Sequence, residues 1–502
     1  MPSLCDYFIT NACNAKLLIS SLIGAYVAYY FFVARSSPVL YGHSRKLVDF
    51  FHSYVPFLNE VYSPFVFGFT GRVQTILRPI FHRVEKVNYE KEVISFSDGG
   101  DMTLSWSNIE GMADDTPIVA LLPGLAGCGC CHYIASIVKE INRCKYRCVI
   151  LNNRGGCRRK LKTPRIFCAA HTSDVASVFD HVRNRYPDAP MVAVGISLGA
   201  LLIFNYLADE PQDRNKPCPL TAAMCVCMPW DLLQTSDKLE KSLDWFLFNK
   251  PLIRGLRRLV MRNADVLSTK YDVPRILKSR TIREFDENLT AVMFGYKSAE
   301  DYYAHASPAT KIDRVRIPIL CLNAADDPFV PFHSESSLRF ERYTISWKHL
   351  RHNVIFSGSY RTIRLDHDDD HGKRVLVLHR VSCVWNHMAS GSGCWTSTTK
   401  KPIFSANQTT SLPMEAVNAS GCRVVLALTR HGGHIGFLDG FLPTGPSLLD
   451  RAVPQFVSAV FQHPEDFAVA VAAATDDAVE DTNVESEGDE SNSRKETTAT
   501  FY

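Results

Sequence analysis

Charge of one sign is what this chain most lacks. Lys and Arg total 55 against 52 Asp and Glu, leaving +3 over 502 residues. A protein that grips phosphate backbones carries a large, clustered positive balance, so no nucleic-acid partner is expected. No internal repeat is visible, which argues against a solenoid or propeller. Charged side chains are absent altogether from Leu17 to Ala34. Cysteine is not scarce, at sixteen, but the run Cys128-Gly129-Cys130-Cys131 has no second paired set at the distance a zinc site wants. Cys144, Cys148, Cys225 and Cys321 lie in apolar runs, where a free thiol behaves as a small hydrophobe. Asp366-His367-Asp368-Asp369-Asp370-His371 lacks the register of a zinc motif and reads as a solvated acidic loop. Neither a metal nor a cofactor is expected.

What is present is a chain that is 46% hydrophobic and long enough for one large domain plus terminal extras. Apolar runs alternate with amphipathic stretches, which predicts an α/β fold with a mostly parallel sheet. The run Met191-Val192-Ala193-Val194 feeds Gly195-Ile196-Ser197-Leu198-Gly199 and then an apolar helix. This is strand, tight turn and helix, with a serine at the apex. The two glycines remove the Cβ atoms that would make strand and helix collide. Ser197 is thereby lifted over the sheet edge, at a helix N-terminus whose dipoles favour negative charge.

A serine hydroxyl is a poor nucleophile until a base takes its proton. The chain order Ser, then acid, then His follows. Ile317–Asn323 reads as a buried strand running into Ala324-Ala325-Asp326-Asp327-Pro328, and Val424–Thr429 as another running into His431-Gly432-Gly433-His434. Both loops leave the C-terminal ends of strands, the edge where open α/β sheets build sites. His434 is the expected base and Asp327 the acid that orients it, with His431 and Asp326 as rivals. The strand Pro117–Leu122 and its loop Pro123-Gly124-Leu125-Ala126-Gly127 supply an expected oxyanion pair, the N–H of Leu125 with that of Leu198.

Beyond these motifs the chain resembles the AB hydrolase 4 family of the AB hydrolase superfamily, in the branch of alpha/beta hydrolase domain-containing proteins 1 and 3. The resemblance is carried by Leu121–Leu125, Asn152-Asn153-Arg154-Gly155, Leu243–Asn249, Ser279–Asp286, Val292–Tyr296, Asp301-Tyr302-Tyr303, Ala306-Ser307-Pro308, Cys321-Leu322-Asn323 and Gly432–Leu438. It covers most of residues 79–463. It implies an α/β-hydrolase fold, single-pass attachment to the endoplasmic reticulum or another endomembrane, and phospholipase or acylglycerol lipase action on lipid esters. His434 to Asp439 also reads H-x-x-x-x-D, a spacing found in some lipid acyltransferases, so transfer of the acyl group to an alcohol is the alternative chemistry.

One departure stands between acid and base. Residues 334–410 have no counterpart in the family, are rich in Ser, His, Trp and Arg, and show no sustained period. They read as translated non-coding sequence or a disordered insertion, with a functional lid as a third reading. If they displace His434, the product is a catalytically inactive membrane scaffold.

The remaining segments divide as follows. After the N-terminal residues 1–16, Leu17 to Ala34 is long enough to approach the hydrocarbon thickness and reads as an uncleaved anchor, since it ends in aromatics rather than a small-residue cleavage site. Residues 35–78 are expected as a juxtamembrane segment, with Val39 to Phe69 along the bilayer surface, and 79–465 as the hydrolase domain. Arg35, Arg45 and Lys46 after the span favour a cytosolic domain. The sequons at Asn288, Asn407 and Asn418 would matter only in the lumen. Residues 228–307, with Trp230, Trp245, Phe246, Phe248, Met261, Met293 and Phe294, are expected as a cap over Ser197. The acidic residues 473–502 are expected to be disordered.

Overall fold

The computed structural model describes residues 4–81, 86–107, 111–209, 218–330, 412–419 and 421–474, with side chains from residue 17 onward. The insert 334–410 and the tail beyond residue 474 lie outside the described residues.

Nine strands form one sheet: β1 (Val39–Tyr41), β2 (Glu90–Ser95), β3 (Asp101–Ser107), β4 (Ile118–Leu122), β5 (Arg147–Asn152), β6 (Met191–Ile196), β7 (Ala222–Val226), β8 (Ile319–Ala324) and β9 (Val424–Thr429). Their spatial order is β1-β9-β8-β7-β6-β4-β5-β3-β2. The six strands from β9 to β5 are parallel, while β1 and the pair β3-β2 are antiparallel at the two edges. Every residue of β4 to β9 is buried, as parallel strands covered on both faces require. Val119, Leu121, Val192, Val194, Met224 and Leu320 pack with helices Arg45–Tyr54, His132–Arg143 and Leu448–Gln462 on one face. Helices Leu198–Asp209 and Ser173–Arg185 cover the other. The expected α/β architecture is therefore present, and strand order reverses between β4 and β6, the switch point at which such sheets bind ligands.

Residues 35–78 correct the expectation of a segment outside the hydrolase domain. Val39–Tyr41 adds an edge strand, pairing Val39 with Leu428 and Tyr41 with Leu426. Leu47, Phe50 and Phe51 join the main core. These side chains form the apolar face of the ten-residue helix Arg45–Tyr54, which is buried against the core.

Leu4–Tyr29 is one helix, continued to Ala34 by a wider turn. Leu17–Ala34 is the described helix long and apolar enough to cross a membrane, with mean hydropathy 1.9 and 11% of it buried. Its end docks on the following loop: the Tyr30 hydroxyl donates to Pro64 O (2.8 Å) and Arg35 Nε to Ser63 Oγ (2.8 Å).

Candidate active site

The turn at Ser197 holds a non-glycine residue in the left-handed region, at φ 55°. Such a conformation persists only when the surroundings fix it. The Ser197 N–H is tied to Val226 O at 2.9 Å, and Ser197 O accepts from Ala200 and Leu201 N–H. A Cβ at Gly195 would meet Gly199 O at 2.4 Å, and one at Gly199 would meet Leu122 O at 2.0 Å. Both glycines are therefore required by close backbone approach.

Asp327 and His434 lie on loops that follow the neighbouring strands β8 and β9. His434 Nε2 lies 2.9 Å from Ser197 Oγ. Its other nitrogen, Nδ1, lies 2.9 Å and 3.2 Å from the two carboxylate oxygens of Asp327. All three side chains are sealed from solvent, at 9%, 7% and 0% exposure for Ser197, His434 and Asp327. The rivals pair with each other: His431 Nδ1 is 3.0 Å from Asp326 Oδ2, and Asp326 Oδ1 accepts from Gly433 N–H at 2.9 Å. Burial, the largest cause, raises the Asp326 carboxyl, opposed by the hydrogen bond from His431. Asp326 thus braces the glycine loop while Asp327 faces the imidazole.

The loop after β4 abuts the turn, since a Cβ at Gly124 would lie 3.3 Å from that of Ser197. Tyr133 Oη accepts the Gly124 N–H at 2.9 Å and holds the loop. Leu198 opens its helix, so its N–H is one of the donors without an intrahelical acceptor. The Leu125 side chain packs into a separate apolar cluster with Ile253, Leu256 and Val260. These belong to helix Lys250–Arg262, and its Gly255 backs onto Ala126. Helix Lys250–Arg262 therefore reaches the loop after β4, and Lys238 Nζ, on helix Leu232–Leu239, donates to Asp327 O at 3.3 Å.

Several positioning residues escaped the sequence reading. Thr75 Oγ1 accepts the His434 N–H at 2.8 Å, Gln74 Oε1 accepts from Leu438 N–H at 2.8 Å, and Arg78 Nη1 donates to Gly436 O at 2.9 Å. All three lie on helix Gly71–Phe81, more than 350 residues before the loop they hold. Phe329 stacks on His434 and shares an apolar cluster with Leu239 and Phe248. Its place two residues after Asp327 was the one local signal available. Cys227 Sγ lies within 4.8 Å of ligand atoms of Asp327 and His434. Burial pushes that thiol well up, and it accepts the Ile435 N–H at 3.2 Å. The imidazole nitrogens already face Ser197 and Asp327, so the trio reads as a neutral thiol packed beside an imidazole–carboxylate pair. A further thiol, Cys157, joins Cys128 and Cys130, with ligand atoms within 4.8 Å of one another.

Residues 117–358 match the family described as the alpha/beta hydrolase fold. Phospholipase ABHD3 of Homo sapiens is 32% identical over 453 residues, covering 89% of this chain and 91% of its own. The chain belongs to the alpha/beta hydrolase family. Medium-chain fatty acid ethyl ester synthase/esterase 2 of Saccharomyces cerevisiae is 30% identical over 361 residues, 56% of this hydrolase and 78% of the yeast protein. Among solved structures, an esterase of Pyrococcus furiosus is 12% identical over 49% of this chain and 77% of its own, with a TM-score of 0.31. The hydrolase is a carboxylic ester hydrolase.

Proposed function

We propose that this hydrolase is a membrane-anchored serine hydrolase that cleaves lipid carboxylic esters, as a phospholipase or acylglycerol lipase. The observation that carries the reading is the 2.9 Å approach of His434 Nε2 to Ser197 Oγ with Asp327 behind the imidazole. In this mechanism Ser197 Oγ attacks the ester carbonyl carbon as His434 Nε2 takes its proton. Asp327 fixes the tautomer and stabilises the imidazolium. The N–H groups of Leu125 and Leu198 hold the developing alkoxide. The imidazolium then protonates the departing alcohol. A water then gives a proton to His434 as its oxygen adds to the acyl carbon; the acyl–Oγ bond breaks, His434 returns the proton to Ser197 Oγ, and the fatty acid leaves.

Three observations support a lipid substrate at a membrane. The wall beside the imidazole is apolar: Phe329, Leu239 and Phe248, with Ile76 and Leu252 packed against them. Phe67, Phe441 and Leu442 are exposed, on loops joined by the bond from Val66 N–H to Gly440 O. The Tyr26 hydroxyl of the expected span donates to Val66 O, so those loops sit beside the anchor. The relatives named phospholipase ABHD3 add to this reading. Residues 228–307 act as the cap.

The acyltransferase reading keeps one specific support, the ester synthase/esterase name of the yeast relative. An inactive scaffold would require the insert to displace His434, and its approach to Ser197 argues against that. The deciding experiment gives the full chain phospholipid or acylglycerol vesicles, with and without added alcohol. Free fatty acid released by wild type and lost in Ser197→Ala supports hydrolysis. Exclusive appearance of the acyl group on the alcohol overturns it.

A further inference from the structure

We propose that Cys128, Cys130 and Cys157 form a binding site for one thiophilic d10 cation, Zn2+, with water as fourth ligand. Their sulfur atoms lie within 4.8 Å of one another, from two loops that meet beside the ends of β4 and β5. At a Zn–S distance of about 2.3 Å a tetrahedral site separates its sulfurs by about 3.8 Å, so closure needs a contraction of roughly 1 Å or less.

The support around the sulfurs is already built. Asn152 is 1% exposed, and its Oδ1 accepts both the Gly129 N–H (2.9 Å) and the Cys157 thiol (3.0 Å). Its Nδ2 donates to Thr103 O and Ser105 Oγ, which fixes the amide from the sheet side. In the metal-free protein one buried side chain therefore sets both loops in register; zinc takes the Cys157 proton, so that bond is given up on binding, while the Gly129 N–H stays on Oδ1 and keeps the Cys128–Cys130 loop placed. Cys131 Sγ accepts the Cys128 N–H at 3.3 Å and tightens the turn. Cys157 sits at φ 49° and Arg158 at φ 61°, two consecutive non-glycine residues in the left-handed region. Strain of this kind persists where a local constraint holds it. The Tyr89 hydroxyl is buried without a hydrogen-bond partner among the described residues, within electrostatic reach of Cys128, Cys130 and Cys157. Cys130 is exposed and Cys128 and Cys157 are half-buried, which leaves an entry path and room for the water.

Zn2+ displaces one proton from each of the three thiols, giving a trithiolate complex of net charge −1 and three released protons. The thiol pattern points to zinc rather than a hard cation, since no carboxylate joins the cluster. Bound metal staples the loop from Gly124 to Cys131 to the loop after β5. On the proposed catalytic reading, it thereby stiffens the segment that carries the Leu125 N–H.

The test uses the full chain, solubilised in detergent, purified under thiol reductant with added zinc and then desalted. Elemental analysis of wild type is expected to give about one zinc per chain, and the Ser197→Ala variant the same, so the result stands apart from catalysis. Cys128→Ser with Cys157→Ser should lower zinc content about tenfold, and Cys218→Ser should leave it unchanged. Because paired substitutions can unfold the loop, Co2+ is also titrated into metal-free wild type and into the exposed-site variant Cys130→Ser. A sulfur-to-cobalt charge-transfer band in wild type, weakened in Cys130→Ser and bleached by zinc, is expected. Wild type that retains no zinc and gives no such band overturns the site, as does peptide mapping that finds Cys128 and Cys157 joined in a disulfide.

Discussion

Phe329 lies flat on the imidazole of His434, with ring centroids 3.9 Å apart and 18° between the planes. The same residue donates its backbone N–H to Asp327 Oδ1 at 2.7 Å. One residue therefore positions both the imidazole of His434 and the carboxylate of Asp327. Phe329→Leu keeps most of the apolar volume, at a stability cost below about 1.5 kcal/mol. It removes the flat surface that limits imidazole rotation. Loss of alignment by about an ångström costs on the order of 100-fold, so kcat should fall by that order with little change in thermal midpoint. Steady-state kinetics on a soluble ester, beside a melting curve, checks this.

Asp326 and Asp327 are adjacent in sequence but face different partners. Asp327→Asn leaves the shape intact and presents the wrong hydrogen-bonding group to His434 Nδ1, which should lower kcat about 10⁴-fold. Asp326→Asn loosens the loop at Gly433 and should cost far less, roughly tenfold. The two kcat values, measured on proteins with matching circular dichroism, separate the roles. Equal losses would refute the assignment of Asp327.

The approach of helix to strand at Gly199 leaves no space for a methyl group. Gly199→Ala places its Cβ 2.0 Å from Leu122 O, a backbone atom that cannot move without displacing β4. Destabilisation beyond about 4 kcal/mol is expected, and folded protein should not accumulate. Gly445→Ala, where nothing lies within 4 Å, should behave as wild type. Yield of monodisperse protein from parallel expression gives the comparison.

Asp286 supplies a pH-dependent stability. It is held by the hydroxyls of Thr290 (2.6 Å) and Tyr303 (2.9 Å), and burial pushes its carboxyl up from 3.8 to about 6. The folded state thus keeps this proton over a range in which the unfolded chain has lost it. The stabilisation is full below about pH 4 and drains away as pH rises through about 6. The difference in unfolding free energy between wild type and Asp286→Asn should shift by about 2 kcal/mol from pH 4 to 7, against wild type at the higher pH. Denaturant titrations of both proteins at the two pH values measure it.

Much of this was legible because the information is local. The turn at Ser197 writes its glycines into five consecutive residues, and the buried strands announce themselves as apolar runs. Where boundaries moved, proline explains it: the reading began strands at Pro117 and Ile317, but β4 and β8 start at Ile118 and Ile319, after prolines that have no N–H for the ladder. Ser197, Asp327 and His434 meet despite the sequence between Asp327 and His434 because each rides on the end of its own strand. The support was not legible. Thr75, Gln74 and Arg78 hold the histidine loop from a helix whose own pattern says only that it is amphipathic. Cys157 stands apart in the chain from Cys128, and only the pairing of β4 with β5 brings their loops together. The aromatic stretch after the span looked like a surface for lipid, yet Phe50 and Phe51 fill the core against Phe467 and Phe456.

A fluorophosphonate probe reports whether the Ser197 hydroxyl is the activated nucleophile of this hydrolase. Incubated with full-length protein and followed by peptide mass spectrometry, the probe should leave one covalent adduct, on Ser197, with formation slowed by about 10³-fold or more in His434→Gln. A folded wild-type protein that takes up no probe, or that carries the adduct on another residue, would contradict the account.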